Sequence, residues 1–291
     1  MISNESNPYL GYARSFQALM DEGRNLPYGG FQPSVDSKIE CKGPVVLVLS
    51  PHPDDECIIG GLPLRLKREG GMQVFNVAIT QGSNPVRKQE RLAELQGACN
   101  WIGFELIQTG ENGLDRIRPE TANEAPNHWS NSVDILTEIF LKHQPVAIFV
   151  PHARDWNQTH LGTHLLAIDA LKKAKGLSPL IIETEYWGQM PHPNLMVENT
   201  VEEVADLLGA LSHHRGELER NPFHLRLPAW MQDNVRRGAE VVGGQGGDAP
   251  DFGFATLYRV NRWEDEKLTP AWSGGKMLGS SECSKQSLLK A

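Results

Sequence analysis

The segment VVLVLSPHPDDEC, residues 45–57, joins an apolar run to a strongly polar turn. The run Val45–Leu49 is rich in β-branched residues and has no polar alternation, which is typical of a parallel strand covered on both faces. Four polar side chains follow it almost at once: His52, Asp54, Asp55 and Glu56. Charged groups at the end of a buried strand cost free energy unless they are paired or bind an ion. The segment therefore predicts a buried strand with a ligand site at its carboxyl end.

Strands and helices alternate along the rest of the chain. Further strands are predicted at Met72–Thr80, Glu105–Gln108, Pro145–Val150, Leu180–Trp187 and Phe252–Val260. Helices are predicted at residues 57–70, Pro85–Ile102, Asn131–His143, His160–Lys173 and Val201–His213. This alternation predicts an α/β, Rossmann-like three-layer fold with a mostly parallel central sheet. Right-handed crossovers would place the strand-to-helix loops along one edge of that sheet, where ligands bind in such folds.

The net charge of −8 argues against a nucleic acid or an anionic membrane surface as a partner. No apolar run approaches the length of a membrane span, and the first residues do not resemble a signal peptide. The 4 cysteines lack C-x-x-C spacing, which favours free thiols in a reducing compartment. We therefore expect a soluble, cytoplasmic protein with a small-molecule ligand. Formation of a homo-oligomer stays open.

The spacing of His52 and Asp55 allows both side chains to reach one cation. A third ligand is expected from the loop that follows the strand Pro145–Val150, because that loop would lie at the same sheet edge. Its candidates are His152, Asp155, Asn157, His160 and His164. His160 opens a predicted helix, so its backbone position would be firm. Two imidazoles and one carboxylate leave a coordination position open for water, as in catalytic zinc sites.

These motifs resemble the LmbE/PIG-L family of zinc-dependent N-deacetylases. The family's first signature is similar to PHPDDE at residues 51–56, and its second to DWNQTH at residues 155–160. The order of strand, Thr80-Gln81-Gly82 turn and helix carrying Arg87–Glu94 is also similar. The resemblance covers approximately residues 44–195, with Phe252–Val260 as a closing strand.

The resemblance implies that His52, Asp55 and His160 bind Zn²⁺ and that Asp54 is the general base. The implied reaction is removal of an acetyl group from an N-acetylated amino sugar or glycoconjugate. Zinc would lower the pKa of bound water, and Asp54 would take its proton and return it to the leaving amine. Many members have a histidine where this chain has Asn157, and that histidine helps to stabilise the oxyanion. That role then falls to Asn157 or to another histidine, such as His152 or His192.

The remaining site expectations concern substrate contacts. Four residues are candidates for these contacts: Arg87, His152, Asn157 and His192. Arg87 could instead lie on a solvated helix face, as could Arg91. Asp155 could bind substrate or hold His160 by a hydrogen bond, and His164 is expected to be a satisfied neighbour. His213 and His214 are expected to be packing or surface residues.

One domain is predicted for residues 1–291. Residues 1–40 form an N-terminal extension with one short helix at Tyr12–Asp21, residues 41–272 the catalytic core, and residues 273–291 a loose tail. Residues 214–250 are expected to be irregular. Two other functions stay open: a zinc-dependent hydratase or lyase on the same scaffold, and a non-catalytic carbohydrate-binding protein.

Overall fold

The computed structural model describes residues 7–32, 40–186 and 188–289. The strands are β1 (Val45–Ser50), β2 (Gln73–Ala78), β3 (Glu105–Gln108), β4 (Ala147–Pro151), β5 (Leu180–Thr184), β6 (Leu195–Asn199), β7 (Phe254–Glu264), β8 (Lys267–Pro270) and β9 (Lys276–Leu278). The helices are α1 (Tyr9–Gly23), α2 (Asp55–Ile58), α3 (Gly61–Arg68), α4 (Lys88–Ile102), α5 (Thr121–Glu124), α6 (Pro126–His143), α7 (Gln158–Lys173), α8 (Val201–Leu211), α9 (Arg215–Arg220), α10 (Leu227–Val241) and α11 (Ser284–Leu289).

The described strands form one sheet in the order β3-β2-β1-β4-β5-β7-β6-β9, with β8 paired to β7. Strands β3, β2, β1, β4 and β5 are mutually parallel, whereas β7 is antiparallel to both β5 and β6. The predicted mostly parallel sheet is therefore confirmed. Because the chain moves outward from β1 to β3 and then returns to β4, the order reverses between β1 and β4. The loops on the two sides of such a reversal run in different directions, and ligands bind in the crevice between them.

Strand β1 supplies both apolar layers of the domain, as its uninterrupted apolar run predicts. Val46 and Val48 face a cluster that includes residues of α3, α4 and α8. Leu47 and Leu49 face the opposite cluster, which includes residues of α6 and α7. All four side chains are fully buried. The sheet thus lies between two helical layers, which confirms the three-layer fold and holds the end of β1 rigidly.

Three sequence expectations need correction. The single helix predicted at 57–70 is two helices, α2 and α3, because Pro63 has no N–H to bond within a continuous helix. Residues 214–250 are not irregular, since they contain α9 and α10. Helix α10 buries apolar side chains four residues apart, Leu227, Met231, Val235 and Ala239, and packs on β7. The charged residues of α10 made this apolar pattern hard to recognise in the sequence.

The C-terminal segment is also more ordered than a loose tail. Residues 276–278 form β9 beside β6, and α11 follows. Buried Arg65 donates hydrogen bonds to the carbonyl oxygens of Gly279 and Glu282, which ties this segment to α3. Strand β6 was not predicted from the sequence either. At the other end of the chain, the predicted helix at Tyr12–Asp21 is confirmed within α1, and Trp187 lies outside the described residues.

Candidate metal and active site

The polar turns after β1 and β4 meet at the reversal point of the sheet. His52 and Asp55 belong to the turn after β1, and His160 lies in the first turn of α7. Asn157 begins that helix as its N-cap, because its Oδ1 accepts hydrogen bonds from the N–H groups of Thr159 at 2.9 Å and His160 at 3.4 Å. The cap places the His160 backbone firmly opposite the β1 turn.

The three predicted ligands converge. His160 Nε2 lies 3.3 Å from His52 Nδ1 and 3.5 Å from Asp55 Oδ2, and His52 Nδ1 lies 3.4 Å from Asp55 Oδ2. Ligand atoms about 2.0–2.1 Å from a tetrahedral zinc ion lie roughly 3.3–3.4 Å apart. The donor set is therefore already spaced as three corners of a zinc tetrahedron, with the fourth corner left for another ligand. Two imidazoles and a carboxylate also suit zinc chemically.

Asp155 holds His160 in the tautomer that a metal requires. Its Oδ2 lies 3.1 Å from His160 Nδ1, and its Oδ1 accepts the Asn157 N–H at 2.9 Å. A proton on Nδ1 that points at a carboxylate leaves the Nε2 lone pair free for an ion. Both Asp155 and His160 are buried, so this orientation is fixed. Of the two roles expected for Asp155, the structure favours holding His160.

The charges within the ligand cluster support one another. Burial alone would raise the pKa of Asp55, but the adjacent His160 and His52 outweigh it and lower that pKa well below its usual range. Burial alone would lower the pKa of His160, but Asp55 and Asp155 raise it to about 9. Without a cation the cluster therefore holds its positive charge as a proton on His160. A bound metal ion would replace that proton.

Asp54 faces the cavity beside the ligand cluster but is not part of it. Its φ of 116° is in the left-handed region that L-residues rarely adopt. Burial, followed by the negative charge of Asp55, raises the pKa of Asp54 well above its usual value. Arg91 Nη2 lies 3.9 Å from Asp54 Oδ2 and partly offsets that shift. A buried carboxyl with a raised pKa next to a cavity is a common property of general bases.

A buried network that the sequence did not reveal holds the Asp54 backbone. Glu56 Oε2 accepts the Asp54 N–H at 3.0 Å, and Glu56 Oε1 lies 2.7 Å from His214 Nε2. Cys57, whose thiol pKa is raised by burial, also donates to Glu56 Oε1 at 3.2 Å. Of the packing and surface positions expected for His214, the structure shows the packing one, since His214 is fully buried, and it also bonds to the first motif. Nothing local in the sequence could pair residues so far apart in the chain.

The four predicted substrate residues have different positions. Arg87 and Asn157 line the cavity in front of His52 and Asp54. His152 is buried, and both its ring nitrogens are used: Nδ1 accepts from the Arg154 N–H, and Nε2 donates to the Gly188 carbonyl at 2.9 Å. His192 lines a separate depression with Arg259 and Trp272. The structure thus brings Arg87 and Asn157 to the site and does not bring His192 there.

Two further residues complete this picture. His164 Nδ1 lies 2.9 Å from the Pro151 carbonyl oxygen, so it is a satisfied neighbour, as expected. Arg91 does not lie on a solvated face, because its Nη2 donates to the Pro53 carbonyl at 2.9 Å. The cavity itself has a volume of about 700 Å³. Its polar lining comes from the turn after β2, the start of α4, the loop before α5, the start of α7, and α9.

The fold and the site define a Rossmann-like α/β protein with a candidate set of two imidazoles and one carboxylate at the reversal point of the sheet. Residues 47–171 match the family model PIG-L, described as GlcNAc-PI de-N-acetylase. This match of the central part of the chain confirms the resemblance to the PIG-L family that the two motifs predict. No curated protein sequence matches the chain.

Solved structures share the fold at low sequence identity. N,N'-diacetylchitobiose deacetylase from Pyrococcus horikoshii is 19% identical with a TM-score of 0.54, over 86% of this chain and 92% of that one. The 4-carboxy-2-hydroxymuconate hydratase from Pseudomonas putida KT2440 is 17% identical with a TM-score of 0.54, over 75% and 96%. A zinc-inhibited form of teicoplanin deacetylase is 14% identical with a TM-score of 0.51, over 76% and 99%. These likenesses establish the fold.

Among the described residues, no helix is long and apolar enough to cross a membrane.

Proposed function

We propose that this protein is a zinc-dependent hydrolase that removes an acetyl group from an N-acetylated amino sugar or glycoconjugate. The observation that carries the proposal is the zinc-like spacing of His52, Asp55 and His160 directly beside the cavity-facing Asp54. The match of residues 47–171 to a de-N-acetylase family supports the same reaction class.

Each residue of the site has a distinct part in this mechanism. His52, Asp55 and His160 would hold the ion, which when bound supplies Lewis acidity for the amide carbonyl and lowers the pKa of water. Asp54 accepts the proton of the attacking water and delivers it to the leaving amine. Its burial and raised pKa bring its proton affinity closer to neutral pH, where such transfers are efficient. Arg91 and the Glu56 network hold Asp54 in position.

The oxyanion needs a donor that this chain must supply without the family's histidine. The Oδ1 atom of Asn157 accepts the capping hydrogen bonds of α7, which leaves the amide NH₂ group of Asn157 as the donor at the cavity. His152 cannot take this role in the observed arrangement, because both its nitrogens are used. We therefore assign Asn157 as the oxyanion donor, a neutral one in place of an imidazole.

The test combines metal analysis with a screen for acetate release. The purified protein should hold about one zinc ion per chain and release acetate from N-acetylglucosamine-type sugars. Asp54→Asn keeps the shape of the side chain and tolerates its left-handed backbone, so this variant should lose turnover but keep zinc. His160→Gln should lose both turnover and bound zinc. A protein that binds no zinc, or an Asp54→Asn variant with full activity, would contradict the proposal.

A hydratase is the second candidate. It is favoured by Asn157, which cannot carry the proton that a histidine would, and by the presence of a hydratase among the proteins of this fold. Formation of a hydrated product from an unsaturated acid, with no acetate release from any N-acetyl sugar, would support it against the deacetylase.

A further inference from the structure

The site cavity carries an excess of positive charge. Six basic side chains line it, against three acidic ones, although acidic residues outnumber basic residues by 8 in the whole chain. The basic residues are Arg87, Lys88, Arg91, Arg116, Arg118 and Arg220. A cluster of positive charge on a protein whose net charge is negative attracts anionic ligands and raises their local concentration.

The inner basic residues are largely neutralised by the protein itself. Arg87 pairs with Glu217 at 3.1 Å, and Arg220 pairs with the same carboxylate. Arg91 lies between Asp54 and Glu217, at 3.9 and 3.8 Å. Even so, Arg87 Nη2 and Arg91 Nε are buried and have no hydrogen-bond partner in the part of the chain that the structure describes. Such donors indicate that a ligand or water completes them.

The outer basic residues have little or no acidic compensation. Lys88 Nζ donates to a backbone carbonyl, that of Asn112, at 3.1 Å. The Arg118 side chain is exposed and has no hydrogen bond or ion pair with any residue in 7–32, 40–186 or 188–289. Arg116 lies 3.8 Å from Asp115, and both side chains are more than half exposed, so that pair is weak. We call Lys88, Arg116 and Arg118 the basic rim.

The backbone that carries Arg116 and Arg118 is firmly fixed relative to the cluster of His52, Asp55 and His160. The backbone of residues 117–118 packs directly on Gly162, two residues beyond His160 in α7, where a Cβ would lie 2.4 Å from the Ile117 carbonyl oxygen. The same loop is held to the β2 end by a hydrogen bond from Leu114 N to the Ile79 carbonyl at 2.8 Å. A held backbone limits the positions that the two guanidinium groups can take, which favours binding of a carboxylate or a phosphate.

We propose that the substrate carries a carboxylate or phosphate group, which the basic rim binds while the acetamido group lies at His52, Asp54 and Asp55. This assignment of substrate class rests on the proposed function. A cavity of about 700 Å³ has room for an amino sugar and such a substituent. Arginine suits both anions because its planar fork makes paired hydrogen bonds with either.

The first experiment compares substrates with the zinc-loaded full-length protein. N-acetylglucosamine is the neutral member, N-acetylglucosamine 1-phosphate and 6-phosphate carry phosphate, and N-acetylmuramic acid carries a carboxylate. We expect kcat/KM for at least one anionic substrate to exceed that of the neutral sugar by about tenfold or more. The anionic substrate with the higher kcat/KM shows whether the rim binds a carboxylate or a phosphate. Equal or faster deacetylation of the neutral sugar would overturn the inference and leave the proposed function intact.

The matched variants are Lys88→Ala/Arg118→Ala and the control Arg14→Ala/Lys142→Ala. Both pairs remove one lysine and one arginine, but Arg14 and Lys142 are exposed residues outside the cavity. The rim pair should lose most of the preference for the anion while its kcat/KM on N-acetylglucosamine stays near wild type. Loss of the preference in the control pair, or an equal loss on all substrates in the rim pair, would overturn the inference.

Anion binding tests the rim even if no sugar is deacetylated. Inorganic phosphate and succinate are titrated calorimetrically into the zinc-loaded wild type, the rim pair and the control pair. We expect about tenfold weaker binding of one anion to the rim pair alone. Phosphate bound only at the metal would be unaffected by the rim substitutions, and equal binding to all three proteins would refute the basic rim. Absence of acetate release with rim-dependent anion binding would count against the deacetylase alone.

Discussion

The orientation of His160 by Asp155 leads to a sharp prediction for zinc affinity. In Asp155→Asn, an amide replaces a carboxylate that now accepts from two donors, His160 Nδ1 at 3.1 Å and the Asn157 N–H at 2.9 Å. An amide offers one oxygen and one NH₂ group, so either orientation breaks one of these bonds. If the NH₂ group faces His160, it favours the proton on Nε2, which then cannot bind a metal.

The expected magnitude follows from the role of such hydrogen bonds. Removing a partner that orients a ligating histidine costs roughly 10–100-fold in metal affinity, which is about 1.4–2.8 kcal/mol. Full burial of this pair puts the expected loss at the upper end of the range. Zinc affinity is measured by competition with a chromophoric chelator at fixed pH, with circular dichroism to confirm folding.

Asp169→Asn is the matched control. Asp169 lies on α7, the helix that carries His160, and accepts a hydrogen bond from Trp129 Nε1 at 3.0 Å, but it is half-exposed and far along the helix from His160. Asp169→Asn removes the same charge as Asp155→Asn and should leave zinc affinity unchanged. Zinc affinity of Asp155→Asn within twofold of wild type, or an equal loss in Asp169→Asn, would refute the reasoning.

Three more predictions concern stability. Arg65→Ala should lower the free energy of unfolding by about 3 kcal/mol or more in chemical denaturation, because it removes a buried guanidinium group that bonds to three carbonyl oxygens; a change below 1 kcal/mol would contradict the structure. In the metal-free protein the pKa of His160 is raised from 6.5 to about 9, so its contribution to stability is complete below pH 6.5 and is lost as the pH rises to about 9. The Tm of the metal-free protein should fall over that interval and zinc affinity should rise, and His160→Asn should flatten the Tm profile. Gly162→Ala should cost about 1–3 kcal/mol because its Cβ meets backbone, whereas Gly11→Ala, in open space on α1, should be neutral or gain up to about 1 kcal/mol; equal effects in urea denaturation would disprove the close approach.

Much of the fold follows from local patterns in the chain. The uninterrupted apolar run before His52 indicated a strand covered on both faces, and both apolar layers do meet at β1. Apart from residues 57–70, the periodic segments before residue 200 are helices close to their predicted bounds. The segment with α9 and α10 was missed because its charged residues masked an apolar stripe that only packing on β7 makes visible.

For the candidate site, the sequence by itself indicated His52 and Asp55 as metal ligands, and the family resemblance added His160. The local chain sets the relative positions of His52 and Asp55 in one turn, and of Asp155 and His160 in another. The order of the strands then needs only to bring these two turns together. Tertiary structure alone decided the rest. It buried His214 against Glu56, placed Arg118 at the cavity and kept His192 away from it. The physical reason is that a local pattern reports whether a segment is buried, whereas the side chains that face one cavity depend on how segments distant in the chain pack together.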